Sequence, residues 1–251
     1  MMTYRFFDFS KEWSRHYRNA FKKAQFPVLI SASLILTLLT NATRAAEPRA
    51  VDLALVLMVD ASASISDGDL EFELRGHAAA FRDEAVIRII TGGRRRAIAV
   101  TFASFSGPNS FTVRTPWRVI SNAAEAIAFS DAILASPRAI QAGSTALGSA
   151  LTEAQTLFRS SGVRADRLAI DIVSNGFNNS GLPPEPARDI AIAAGISINA
   201  LAILDEYEWL ESYYADFVIG GSGAFVISAE NRASFSQAIR RKLIQEIAAL
   251  P

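Results

Sequence analysis

Val51-Asp-Leu-Ala-Leu-Val-Leu-Met-Val-Asp60-Ala-Ser62-Ala-Ser64 decides how the rest of this 251-residue chain is read. An almost unbroken apolar run stops at an acid and two hydroxyls at alternate positions. The apolar part reads as a strand buried on both faces, as in a parallel sheet covered on each side. The polar part falls at or just past the carboxyl end of that strand, where open α/β sheets bind ligands. Asp60, Ser62 and Ser64 offer one carboxylate and two hydroxyl oxygens, a hard-oxygen set suited to Mg²⁺ or Mn²⁺. The simpler reading is capping: Asp60 ends the strand, and Ser62, Ser64 or Ser66 caps the next helix.

Outward from this run, strands and helices alternate. Residues 67–90 carry Leu70, Leu74, Ala78, Phe81 and Ala85 near helical spacing, and Gly92-Gly93 ends that helix. Further strands are expected at 97–105, 167–173, 196–204 and 224–228, with 111–119 as an antiparallel or edge segment. Helices are expected at 122–134, 146–158, 185–194, 208–217 and 231–249. In the last, Phe235, Ile239, Leu243 and Ile247 step by four along one face. Such alternation gives an α/β fold, a doubly wound and mostly parallel central sheet with helices on both faces.

Asp60-x-Ser62-x-Ser64 after a buried strand resembles the first motif of the metal-ion-dependent adhesion site of von Willebrand factor A domains. Thr145, in Gly143-Ser144-Thr145, matches the family's metal-binding threonine. The third family motif, Thr-Asp-Gly or Gly-Asp-Gly, meets Ser174-Asn175-Gly176 here, so a neutral amide stands where the family has a carboxylate. Ile170-Asp-Ile-Val-Ser-Asn-Gly-Phe-Asn-Asn179 also resembles an exported bacterial subgroup of unknown function, DUF1194. The resemblance covers about residues 50–248. It implies the A-domain fold and a divalent site at Asp60, Ser62, Ser64, Thr145 and Asn175, weakened by the lost charge, but no established reaction. It also implies a protein partner whose own carboxylate completes the metal shell.

The chain carries 25 basic and 25 acidic residues and no cysteine. Disulfides, thiol catalysis and zinc thiolate sites are therefore excluded. The zero net charge hides an asymmetry. Arg5, Lys11, Arg15, Arg18, Lys22 and Lys23 stand against only Asp8 and Glu12, ahead of an uncharged apolar run at 26–40. A basic region, an apolar core and small residues to Ala46 make a signal peptide, or an anchor if uncleaved. Residues 47–251 would then be a single exported, mildly acidic domain, placed in the periplasm or cell envelope. It touches the membrane only through the N-terminal segment if that segment is uncleaved, and its charge argues against a nucleic-acid surface. Arg94-Arg95-Arg96 reads as a solvated turn.

Other residues read more weakly. Asn178 and Asn179 are turn residues or supports for the metal ligands. Asp205 and Glu206 line the same edge or start a helix. His77, without partner groups, reads as structural rather than as a base. Asp171 lies inside its strand and has no assigned role. Trp117, Trp209, Tyr207, Tyr213 and Tyr214 mark a surface or pack in the core. Two functions follow: a binding module, or a metal-assisted hydrolase using the same cation. A nucleotide-binding domain lacks both its glycine fingerprint and a P-loop.

Overall fold

The computed structural model describes residues 47–137 and 143–249, with the side chains of 232 and 233 left aside. The expected signal or anchor, at 1–46, lies outside the described residues. Among the described residues no helix is long and apolar enough to cross a membrane.

The elements are β1 (Arg49–Asp60), α1 (Asp67–Arg82), α2 (Glu84–Gly92), β2 (Ile98–Phe105), β3 (Phe111–Ile120), α3 (Ala123–Leu134) and α4 (Leu147–Leu157). After a short 3₁₀ turn come β4 (Val163–Ser174), α5 (Pro184–Ala193), β5 (Ile196–Ile203), α6 (Leu210–Tyr213), β6 (Val226–Ala229) and α7 (Arg232–Ala248). The strands lie in the order β3-β2-β1-β4-β5-β6. All neighbours are parallel except β2 and β3, which run antiparallel with register shifts at Pro116-Trp117 and at Arg114. The expected doubly wound sheet is therefore the observed one.

Strand periodicity sorts β1 between two helical layers. Leu53, Leu55, Leu57 and Val59 pack with α1, α3 and α7 around Phe81, Phe129, Phe235 and Leu243. Val56 and Met58 pack on the other face with α4, α5, Leu210 and Tyr214. Each fully buried large side chain contributes about 1.5–3 kcal/mol, which is why β1 needs an unbroken apolar run rather than an alternating one. Asp60, two residues beyond Met58, points to the α4 side.

The expected helix at 67–90 is two helices. Asp83 breaks it because its carboxylate accepts from the Ala85 and Val86 amides and caps α2. The segment expected at 208–217 is one α-turn that widens into a π-helical turn, residues 214–218. Other boundaries differ by a few residues, the largest being β4, which begins at Val163 because β1 pairs with it from Arg49 onward.

Candidate metal centre

Three loops at the carboxyl edge of the sheet meet above β1 and β4. The first carries Asp60, Ser62 and Ser64. Capping of α1 falls to Ser66, whose hydroxyl accepts from Asp69 N while the Asp69 carboxylate accepts from Ser66 N. This leaves Ser62 and Ser64 free of a capping duty. Asp60 is fully buried, and its Oδ1 accepts from Ser62 N at 2.8 Å.

The second loop brings Thr145, whose Oγ1 donates to Ser62 Oγ at 3.1 Å. Ser62 and Ser64 hydroxyl oxygens are 3.2 Å apart, and Ser64 Oγ donates to Asn175 Oδ1 at 3.2 Å. Thr145, Ser62, Ser64 and Asn175 thus form a chain of neutral oxygens beside the buried acid. Asn175 is buried within this chain. Octahedral Mg²⁺ with oxygens at about 2.1 Å has edges of about 3 Å. The three spacings match such edges, and the donors are of the hard-oxygen kind. What the set lacks is charge: Asp60 supplies the one carboxylate.

Ser174 is a site residue that the sequence reading missed. Its hydroxyl donates to Asp60 Oδ2 at 2.6 Å and accepts from Gly176 N at 2.9 Å. Its place as the last residue of the strand beside β1 is the signal that could have found it. Burial raises the Asp60 carboxyl above its ordinary range, while hydrogen bonds from Ser174, Ser62 and Thr145 pull it back. Gly176 leaves the space that Thr145 fills: a Cβ there would stand 3.1 Å from Thr145 Oγ1.

Asn178 and Asn179 are supports. Asn179 Oδ1 accepts from Thr145 N at 2.8 Å, and Asn179 N donates to Thr145 O at 2.9 Å. Asn178 Oδ1 accepts from Gly148 N at 3.3 Å. From below, buried Tyr214 donates its hydroxyl to Gly176 O at 3.0 Å, and Tyr213 Oη accepts from Asn178 N at 3.2 Å. Burial pushes both tyrosine hydroxyls up, so both stay protonated.

Beside the third loop, Phe177, Tyr207, Trp209 and Tyr213 pack ring on ring, with centroids 5.2–6.3 Å apart. Trp209 is 49% exposed and Phe217, stacked on Tyr213, 42%. Trp117 is not part of this patch; it packs on Phe158 and donates to Leu157 O. Asp205 shares a narrow crevice with Asn175, Asp69 and Glu73. His77 is buried between Phe102 and Phe235, and desolvation lowers it to about 4, so it is a neutral core residue. In the Arg94 turn, Arg94 and Arg95 pair with Asp166.

A mostly parallel sheet with an Asp-x-Ser-x-Ser turn closing its central strand is the architecture of a von Willebrand factor A domain. The chain belongs to the DUF1194 family, proteins of unknown function, whose family model matches residues 50–251. Solved structures share the fold. Proximal thread matrix protein 1 from the mussel byssus aligns with a TM-score of 0.59 at 15% identity, over 79% of this chain and 47% of that one. Pilus adhesin SpaC from Lactobacillus rhamnosus GG gives 0.56 at 16%, over 79% and 30%. A von Willebrand factor type A protein from Catenulispora acidiphila gives 0.55 at 13%, over 78% and 43%. The chain therefore spans less than half the length of each of these. The mussel protein has also been solved with zinc in its metal-ion-dependent adhesion site. No curated protein matches the sequence.

Proposed function

We propose that this chain is an exported binding module, in which Asp60, Ser62, Ser64, Thr145 and Asn175 hold Mg²⁺ or Mn²⁺ weakly for recognition of a protein partner. The observation that carries the reading is the run of oxygens at 3.1–3.2 Å beside buried Asp60. A dication held by one carboxylate keeps a net positive charge at the surface. A carboxylate from the partner would complete its shell and bring affinity that depends on the metal. The exposed Trp209 and Phe217 beside the third loop offer apolar area of the kind that anchors protein interfaces. Export rests on the basic and apolar leader at 1–46, with 47–251 as the exported domain. A hydrolase would need a base near the metal, and His77 is buried in the core on the other side of the sheet.

Calorimetric titration of the purified protein with Mg²⁺ and Mn²⁺ tests the reading, with Asp60→Ala as control. Saturable heat that Asp60→Ala removes is expected. Absence of heat from the native protein at millimolar cation would sink the metal-dependent reading.

A further inference from the structure

On the sheet face opposite Asp60, three ionisable side chains are buried together: Asp171 from β4, and Lys242 and Glu246 from α7. The alternation of β4 puts Asp171 there, between Ala169 and Val173 on the α7 side. Lys242 Nζ lies 2.5 Å from Asp171 Oδ1 and 3.8 Å from Glu246 Oε2. The first contact is shorter than an ordinary charged hydrogen bond of about 2.7–2.9 Å. Nor does it have hydrogen-bond angles: neither Asp171 oxygen nor Lys242 Nζ has a hydrogen-bond partner among the described residues.

Glu246 is held independently. Asn199 Nδ2 donates to Glu246 Oε2 at 2.6 Å. Asn199 keeps this orientation because its Oδ1 accepts from Phe225 N at 2.8 Å. The Phe225 ring closes the site, its centroid 4.9 Å from Nζ.

A buried ion pair gains little, because desolvation of two charges offsets their attraction. Passing one proton across the contact turns it into a carboxylic acid beside a free amine. Burial pushes the Asp171 carboxyl well above its ordinary range, against the pull of Lys242. An acid and an amine held in contact away from water are the reactants of an amide.

We propose that Lys242 and Asp171 condense into an intramolecular isopeptide bond, with Glu246 carrying the proton. The Lys242 amine adds its lone pair to Asp171 Cγ, and the C–N bond forms. Glu246 accepts the proton leaving nitrogen and passes it to the Asp171 hydroxyl. The C–O bond breaks, and that hydroxyl departs as water. One acid and one amine give one amide and one water, with no oxidant or activated co-reactant. Fixed contact supplies the drive, since well-oriented intramolecular groups reach effective molarities of about 10⁵–10⁸ M. The bond also removes two charges from the interior. It would tie the last helix to a central strand in a chain that has no cysteine for a disulfide.

The test is mass spectrometry of the full-length protein after denaturation and trypsin digestion. Residues 168–188 should appear joined to residues 242–251, one water lighter than their sum, with no cleavage after Lys242. Linear 168–188 together with free 243–251 as the main products would overturn the proposal. In Glu246→Gln the linear peptides should dominate; a variant cross-linked as fully as the native protein would remove Glu246 from the step. If that variant does not fold, the native digest alone decides.

Discussion

Ser174 Oγ donates to Asp60 Oδ2 at 2.6 Å, so the third loop meets the buried acid with a hydroxyl, while the neighbouring Asn175 accepts from Ser64 instead. Asp60 is thereby held by neutral donors alone. The site is lined by oxygens but poor in charge, and each of these two loop residues can be tested separately.

Asn175→Asp adds a carboxylate to a partly desolvated site, where Coulomb attraction exceeds its value in water. Mg²⁺ affinity should rise at least about tenfold, or about 1.4 kcal/mol. Calorimetry on the two proteins side by side measures it. Equal affinities would mean that another acid, such as Asp205, already supplies the missing charge.

Ser174→Ala leaves Asp60 Oδ2 and the Gly176 amide without their partner. Loss of hydrogen bonding to buried groups costs about 1–3 kcal/mol. Urea denaturation of the metal-free protein should show a loss of that size. No change would mean that the hydroxyl is idle.

Gly148 sits in the first turn of α4 against the loop leading into α5. A Cβ there would run into the carbonyl oxygens of Leu182 and Pro183. Backbone cannot yield as a side-chain tip does, so Gly148→Ala should cost about 1–3 kcal/mol and loosen the loop that presents Thr145. A thermal melt checks the first effect and Mg²⁺ titration the second.

His77 has a folded-state value of about 4, below its ordinary 6.5, because burial disfavours its charged form. The unfolded chain therefore binds the extra proton between those values. Its contribution is fully present above about pH 6.5 and declines as pH falls toward about 4. From about pH 7 to about pH 5 the loss from this residue should be about 2 kcal/mol. His77→Phe should flatten stability over that interval, as read by denaturant titration at both pH values. An unchanged slope would refute the assignment to His77.

The sheet and its helical layers were legible because β1, β2 and β5 are buried on both faces and are mainly apolar along their length. The convergence of Asp60, Thr145 and Asn175 was legible because parallel strands bring their carboxyl ends to one edge. Finer features depended on side chains competing for backbone. Asp83 splits a helix that apolar spacing alone would continue, and Ser174 reads as one more strand residue until β4 lies beside β1. Asp171 was unreadable for another reason: its partner, Lys242, is distant in sequence and becomes buried only when α7 covers the sheet.

The irregular pairing of β3 sets a limit on how molecules of this protein can associate. β3 is an outer strand of the sheet, and an outer strand offers free amides and carbonyls to any passing chain. Here Pro116 removes one amide, the register slips around it, and the cations of Arg114 and Arg118 stand along the same strand. At the other margin β6 has only four residues. Neither border is a good template for strand addition, so growth into sheet-linked fibres is disfavoured at both ends, even in a crowded compartment.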